Sequence, residues 1–84
     1  MRITWTTSAW NDYLYWQSAD KNKLKRINQL IKEILRDPIK GIGNPEPLKH
    51  DLQGFWSRRI DGEHRLVYSF DSYSLSIVAC RYHY

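Results

Sequence analysis

"GFWSRRIDGEHRLVYSF" (residues 54–70) is the stretch on which the fold turns. Two runs of β-prone residues flank Asp61-Gly62, a pair that marks a tight reversal between strands. "GFWSRRI" therefore reads as one strand and "HRLVYSF" as its antiparallel partner. Moving outward, a turn around Asp71-Ser72 leads into "SLSIVACRYHY" (residues 74–84), a further strand. The period of two puts Leu75, Ile77, Ala79, Arg81 and His83 on one face, and Val78, Cys80, Tyr82 and Tyr84 on the other. Because the alternation runs to residue 84, "CRYHY" is expected to be the end of a paired strand, with His83 held by the sheet.

On the N-terminal side, "RITWT" (residues 2–6) is short and β-prone, and Thr7 or Ser8 is a suitable helix N-cap. Trp10, Tyr13 and Leu14 follow at helical spacing, which predicts a first helix of about three turns. Asp20 interrupts the pattern and is placed to cap a second helix. Leu24, Ile27, Ile31, Ile34 and Leu35 form that helix's apolar stripe, and Asp37-Pro38 ends it. Lys21, Lys25, Lys32 and Arg36 stack on a different face, either as a solvated surface or as a stripe against a polyanion.

Between helix and hairpin lies "PIKGIGNPEPLKHDLQG" (residues 38–54), which holds all three prolines and three of the four glycines. It reads as a long connection with room for one short extended segment; such connections in compact domains are usually functional or disordered. Glu46 sits between Pro45 and Pro47, so its backbone is held extended. That stiffness suits a side chain that must be aimed.

The chain has 84 residues, enough for a single domain (1–84) around a modest core. Four tryptophans supply large apolar area, and the apolar content is too high for a disordered chain. Cys80 is the one cysteine, so no internal disulfide forms. The N-terminus lacks the apolar segment of a signal peptide, and no run is long enough to span a membrane. A cytoplasmic protein without membrane association is expected. The formal net charge of +4 favours phosphate-bearing partners.

Arg58, Arg59, Arg65, Arg81 and His83 all fall in expected strands. Arginines on an open sheet face match phosphate geometry, although a solvated face with incidental ion pairs would look the same. His50, His64 and His83 show no metal-ligand spacing, and Cys80 lacks a C-x-x-C partner, so neither a metal nor another cofactor is expected. Metal-free RNA cleavage needs a base for the 2′-OH, an acid for the leaving 5′-oxygen and cations for the phosphorane charge. Glu46, His83 and Arg65 can fill those roles, with Lys49 in support.

"NPEPLKH", "GFWSRRI", "EHRLVY" and "CRYHY", together with "WNDYLYWQ" and "RINQLIK", resemble the YoeB toxins of bacterial toxin–antitoxin systems, within the RelE superfamily. The resemblance spans the chain. It implies an α+β, microbial ribonuclease-like fold, with two N-terminal helices packed on a twisted antiparallel sheet. It further implies a ribosome-dependent endoribonuclease that cuts mRNA in the ribosomal A site. Carried over, Glu46 is the general base, Arg65 stabilises phosphate charge, His83 is the general acid and Tyr84 shapes the site. Lys49 contacts phosphate, with Arg58, Arg59 and Arg81 as further phosphate-binding candidates. The Glu46 and His83 roles remain exchangeable. The implied partners are the ribosome and mRNA, a YefM-like antitoxin, operator DNA only through the antitoxin complex, and a second copy in a homodimer. The competing readings are a non-catalytic nucleic-acid-binding module and an inactive toxin acting as a transcriptional co-regulator.

Overall fold

A computed structural model describes residues 1–82. In chain order it contains β1 (Arg2–Trp5), α1 (Thr7–Ala19), α2 (Lys21–Arg36), β2 (Glu46–Pro47), a 3-10 turn (His50–Leu52), β3 (Trp56–Arg59), β4 (Arg65–Phe70) and β5 (Ser74–Ala79). The five strands form one sheet in the order β1-β5-β4-β3-β2. Strands β2 to β5 pair antiparallel, and β1 adds to β5 in parallel, so the sheet is mixed.

Short polar side chains set the helix ends. Thr6, one residue before the expected cap, accepts the Ala9 amide at 3.0 Å. Asp20 serves both helices: its amide donates to Trp16 O, and its carboxylate accepts the Asn22 and Lys23 amides. Satisfying orphan amides in this way lets α2 follow α1 with a single residue between them. Ile27, Leu30, Ile31 and Ile34 form the buried stripe of α2. Leu35, expected on that stripe, is exposed; it lies about 100° round the helix from Ile34, whereas Leu30 completes the i, i+3, i+4, i+7 set. These residues pack with Ala9 and Trp16 of α1 on Leu66, Tyr68, Leu75 and Ile77 of the sheet.

Arg58 corrects one expectation. It points into this core with no exposed surface, so it is unavailable to an external phosphate. Its Nε donates to Tyr68 Oη, Nη1 to Ile42 O, and Nη2 to Asp37 O and Lys40 O, at 2.6–3.2 Å. A buried charge is tolerated when its donors are satisfied, and Asp37 O belongs to the negative end of α2. The guanidinium thereby moulds the proline- and glycine-rich connection onto the core. Tyr68 Oη joins by donating to Pro38 O at 2.7 Å, and burial pushes its hydroxyl pKa upward. Gly43, at φ +84°, passes so close that a Cβ there would lie 2.8 Å from Leu30 Cδ2 and 3.0 Å from Arg58 Cβ.

The Asp61-Gly62 reversal occurs where expected but is built differently. Gly62 does not use a left-handed conformation; instead Asp61 Oδ1 accepts the Glu63 and His64 amides at 2.7 and 2.6 Å.

Strand β5 also departs from expectation, ending at Ala79 instead of continuing to residue 84. A bulge shifts its register: Tyr68 pairs with Ile77 but Val67 with Ala79, leaving Val78 as the extra residue. The inward phase therefore passes from Ile77 to Cys80, which is fully buried, while Ala79 sits opposite Val67. After the bulge, α1 takes over the backbone: Asp12 Oδ2 accepts the Cys80 amide and Trp16 Nε1 donates to Cys80 O at 2.8 Å.

Candidate active site

The register collects part of the expected site on the sheet face turned away from the helices. Glu46 lies opposite Ser57, and Ser57 opposite Val67; the next row holds Arg59 directly opposite Arg65. Directly opposed residues share a face, and the alternate residues Arg58, Leu66 and Tyr68 point into the core, so Glu46, Arg59 and Arg65 all face the other way. The two rows are about 7 Å apart along the strands.

Each side chain has its own support. Glu46 is exposed, and its Oε1 accepts a hydrogen bond from Asn44 Nδ2 at 2.8 Å, while Asn44 turns the chain at φ +53°. Pairing with β3 fixes the Glu46 backbone between its two prolines. Arg65 is half-buried, and its Nη1 donates to Asp61 O and His64 O at 2.8 and 3.0 Å. The Arg59 amide donates to Gly43 O, and its carbonyl accepts Arg26 Nη2. Like charges placed directly across a strand pair repel, and an anion bound between Arg59 and Arg65 would relieve that cost.

The other candidates divide. Lys49 is exposed three residues beyond Glu46, leading into the 3-10 turn, and is not in sheet register with the arginine pair. Arg81 was expected in a strand, as a phosphate-binding candidate. It lies instead beyond β5, stacked over the Tyr15 ring at 3.5 Å and the Tyr82 ring at 4.6 Å. Its Nη2 donates to Tyr82 Oη at 2.8 Å, and it lines a polar cleft against α1 and the Asp61 turn. The strand break at Cys80 rotates it there. His83 and Tyr84 lie outside the described residues. Among the described residues, no group of three His, Cys, Asp or Glu side chains is arranged to hold a metal, and no helix is long and apolar enough to cross a membrane.

Two residues that sequence reasoning did not assign to the site bear on it. His64 is buried, and its Nδ1 accepts the Tyr82 amide at 2.7 Å. Asp61 organises the turn from which Arg65 departs and pairs with Lys23 Nζ of α2 at 2.9 Å. Burial opposes Asp61 ionisation, but Lys23 and the His64 and Glu63 amides together outweigh it, holding the carboxyl pKa at about 2. The same hydrogen bond raises Lys23. The sequence signal for Asp61 was its place in the turn; His64 carried none beyond its adjacency to Arg65.

Two N-terminal helices on one face of this mixed sheet define the fold of the RelE-superfamily toxins. YafQ from E. coli has that fold at 18–19% identity and a TM-score of 0.77. Within that class, the chain belongs to the family of YoeB-like toxins of bacterial type II toxin–antitoxin systems, whose model matches residues 5–84. It is 60% identical to Toxin YoeB of Escherichia coli (strain K12) over 84 residues, covering 100% of both chains. A YoeB/ParE toxin from Agrobacterium tumefaciens superposes with a TM-score of 0.97 at 46% identity, again over 100% of both chains. Two Staphylococcus aureus structures, a YoeB dimer and a heterotetrameric YoeB–YefM complex, align over 100% of this chain and 98% of theirs at 48% identity, with TM-scores of 0.94 and 0.92.

Proposed function

We propose that the chain is a ribosome-dependent endoribonuclease that cuts mRNA by metal-independent acid–base chemistry. One observation carries this reading: the register sets a carboxylate and two opposed arginines on one face of the sheet. A module that only held phosphates would use Arg59 and Arg65 but would gain nothing from Glu46, which repels the same ligand.

In this reading, Glu46 accepts the proton of the 2′-OH, and the freed oxygen attacks the adjacent phosphorus. Arg65, with Arg59 opposite, stabilises the charge gathering on the non-bridging oxygens. Preorganised cations of this kind commonly supply the largest single part of catalysis. The P–O5′ bond breaks as His83 donates a proton to the leaving oxygen, giving a 2′,3′-cyclic phosphate and a 5′-hydroxyl. Tyr84 shapes the site and Lys49 contacts phosphate. The ribosome supplies much of the alignment by holding the mRNA against the sheet face.

Membership of the family supports the partners in this reading. A YefM-like antitoxin restrains the toxin, and the complex reaches operator DNA through the antitoxin. Two copies associate as a homodimer. The cytoplasm, where ribosomes and mRNA are present, is the site of action.

The test is to map mRNA 5′ ends in an in vitro translation reaction, with and without programmed ribosomes. Cleavage in phase with the ribosome, lost in Glu46→Ala and His83→Ala and unaffected by a chelator, is expected. A folded, ribosome-bound protein that leaves the message intact would overturn the reading in favour of a binding or co-regulator role.

A further inference from the structure

We propose that His64 is a positioning residue that sets the direction in which the chain leaves Tyr82 toward His83. The inference rests on the endoribonuclease reading, in which His83 is the general acid. Tyr82 adopts φ +65°, a left-handed conformation that is unfavourable for a residue with a side chain and persists only where surroundings enforce it. Two adjacent residues of the β3–β4 reversal enforce it here. His64 Nδ1 accepts the Tyr82 amide at 2.7 Å, and the Arg65 amide donates to Tyr82 O at 3.0 Å. The Tyr82 amide and the Tyr82 carbonyl are therefore both held.

The imidazole is itself fixed in place. Its ring stands edge-on to Trp16 of α1 with centroids 4.8 Å apart, and Trp16 Nε1 holds Cys80 O. The His64 amide is bound by Asp61, which Lys23 ties to α2. A ring nitrogen that accepts carries no proton, so the ring hydrogen sits on Nε2, on the side of Glu63, whose Oε1 is 3.7 Å away. An apolar side chain in this position would leave the Tyr82 amide without that partner. Because Arg65 follows directly, one reversal carries both the proposed phosphate-binding guanidinium and the clamp on the chain that bears the acid.

The test combines a direct readout of the clamp with two variants that separate its components. In 15N-labelled wild-type protein, a coupling across the N–H···N bond between the Tyr82 amide and His64 Nδ1 is expected in the NMR spectrum. His64→Phe keeps a ring against Trp16 but removes the acceptor; His64→Asn offers an oxygen near the Nδ1 position but removes the ring. On programmed ribosomes, His64→Phe is expected to lower kcat by roughly 10- to 100-fold with little change in KM, the scale of a misaligned catalytic group. His64→Asn should recover most of that loss even where its urea midpoint falls below that of His64→Phe. Absence of the coupling overturns the clamp. Wild-type kcat in His64→Phe, equal losses in both variants, or failure of both to fold overturns the positioning role and leaves a packing residue. Uncut message with wild-type protein would overturn the endoribonuclease reading alone, since the coupling still decides the clamp.

Discussion

Arg58 and Arg59 are neighbours in sequence and opposites in structure. One is fully buried, with its guanidinium divided among three carbonyls and a tyrosine hydroxyl; the other is exposed, directly across from a second arginine. Residue type therefore says little about role on this sheet, and strand parity says a great deal. The inward arginine ties the long connection to the core, which holds β2 against β3. The outward pair creates a local excess of positive charge beside the carboxylate that the connection delivers.

Separate substitutions should divide these roles. Arg58→Ala leaves the Asp37, Lys40 and Ile42 carbonyls with a lost partner and a cavity beside Leu30, so urea denaturation should show a loss of about 3–4 kcal/mol. Arg58→Lys should recover little, because an ammonium cannot span the fork. If Arg58→Ala kept wild-type stability and lost only RNA cleavage, the contrast would collapse. On the outer face, Arg65→Ala should lower cleavage about 100-fold, measured as single-turnover rate on programmed ribosomes. Arg59→Ala should lower it less, about 10-fold, and keep stability within about 0.5 kcal/mol of wild type.

A smaller effect tests the turn that joins the two faces. The folded Asp61 carboxyl has its pKa lowered from 3.8 to about 2, so its contribution is complete above the unfolded value and is lost as pH falls from about 4 toward 2. The wild type should exceed Asp61→Asn by about 1 kcal/mol at neutral pH, allowing for partial solvent screening, and the gap should close near pH 2. A gap independent of pH would show that the turn depends on side-chain shape alone. The smallest effect concerns Cys80, whose thiol is pushed up to about 12 by burial, with Asp12 adding to the shift. Iodoacetamide at pH 8 should leave it unmodified until denaturant is added; rapid alkylation of folded protein would show that the segment after β5 opens readily.

Local signals were legible in the sequence and long-range ones were not. Asp20, the α2 stripe, the Asp61 reversal and the proline-flanked Glu46 announced themselves because caps, periodicity and turn chemistry act over a few residues. The inward turn of Arg58 was readable too: Trp56, Arg58 and Ile60 alternate, and an arginine between two apolar residues on one parity signals a buried charge. The parallel partnership of β1 was not readable, because no local feature names a partner 72 residues away. Nor was the Val78 bulge, which exists because β5 must fit both β4 and α1. The end of β5 at Ala79 then took Arg81 out of the sheet and over the Tyr15 ring. Of the site, the sequence pattern named the chemical groups on the sheet face and missed His64, whose task is defined by a backbone amide distant in sequence.

The parallel pairing of β1 with β5 has a consequence for how the molecule comes into being. Thr4 and Ser76, 72 positions apart, bond to one another, and the Thr6 amide reaches Ile77 O. Strand β1 therefore has no partner until Ser74–Ala79 has been made. Thr4 and Trp5 wait unpaired until β5 has been made, and contacts of such long range are slow to form. A nascent chain lacking β5 cannot complete this sheet, so the five-stranded arrangement is finished only after Ser74–Ala79 has been made.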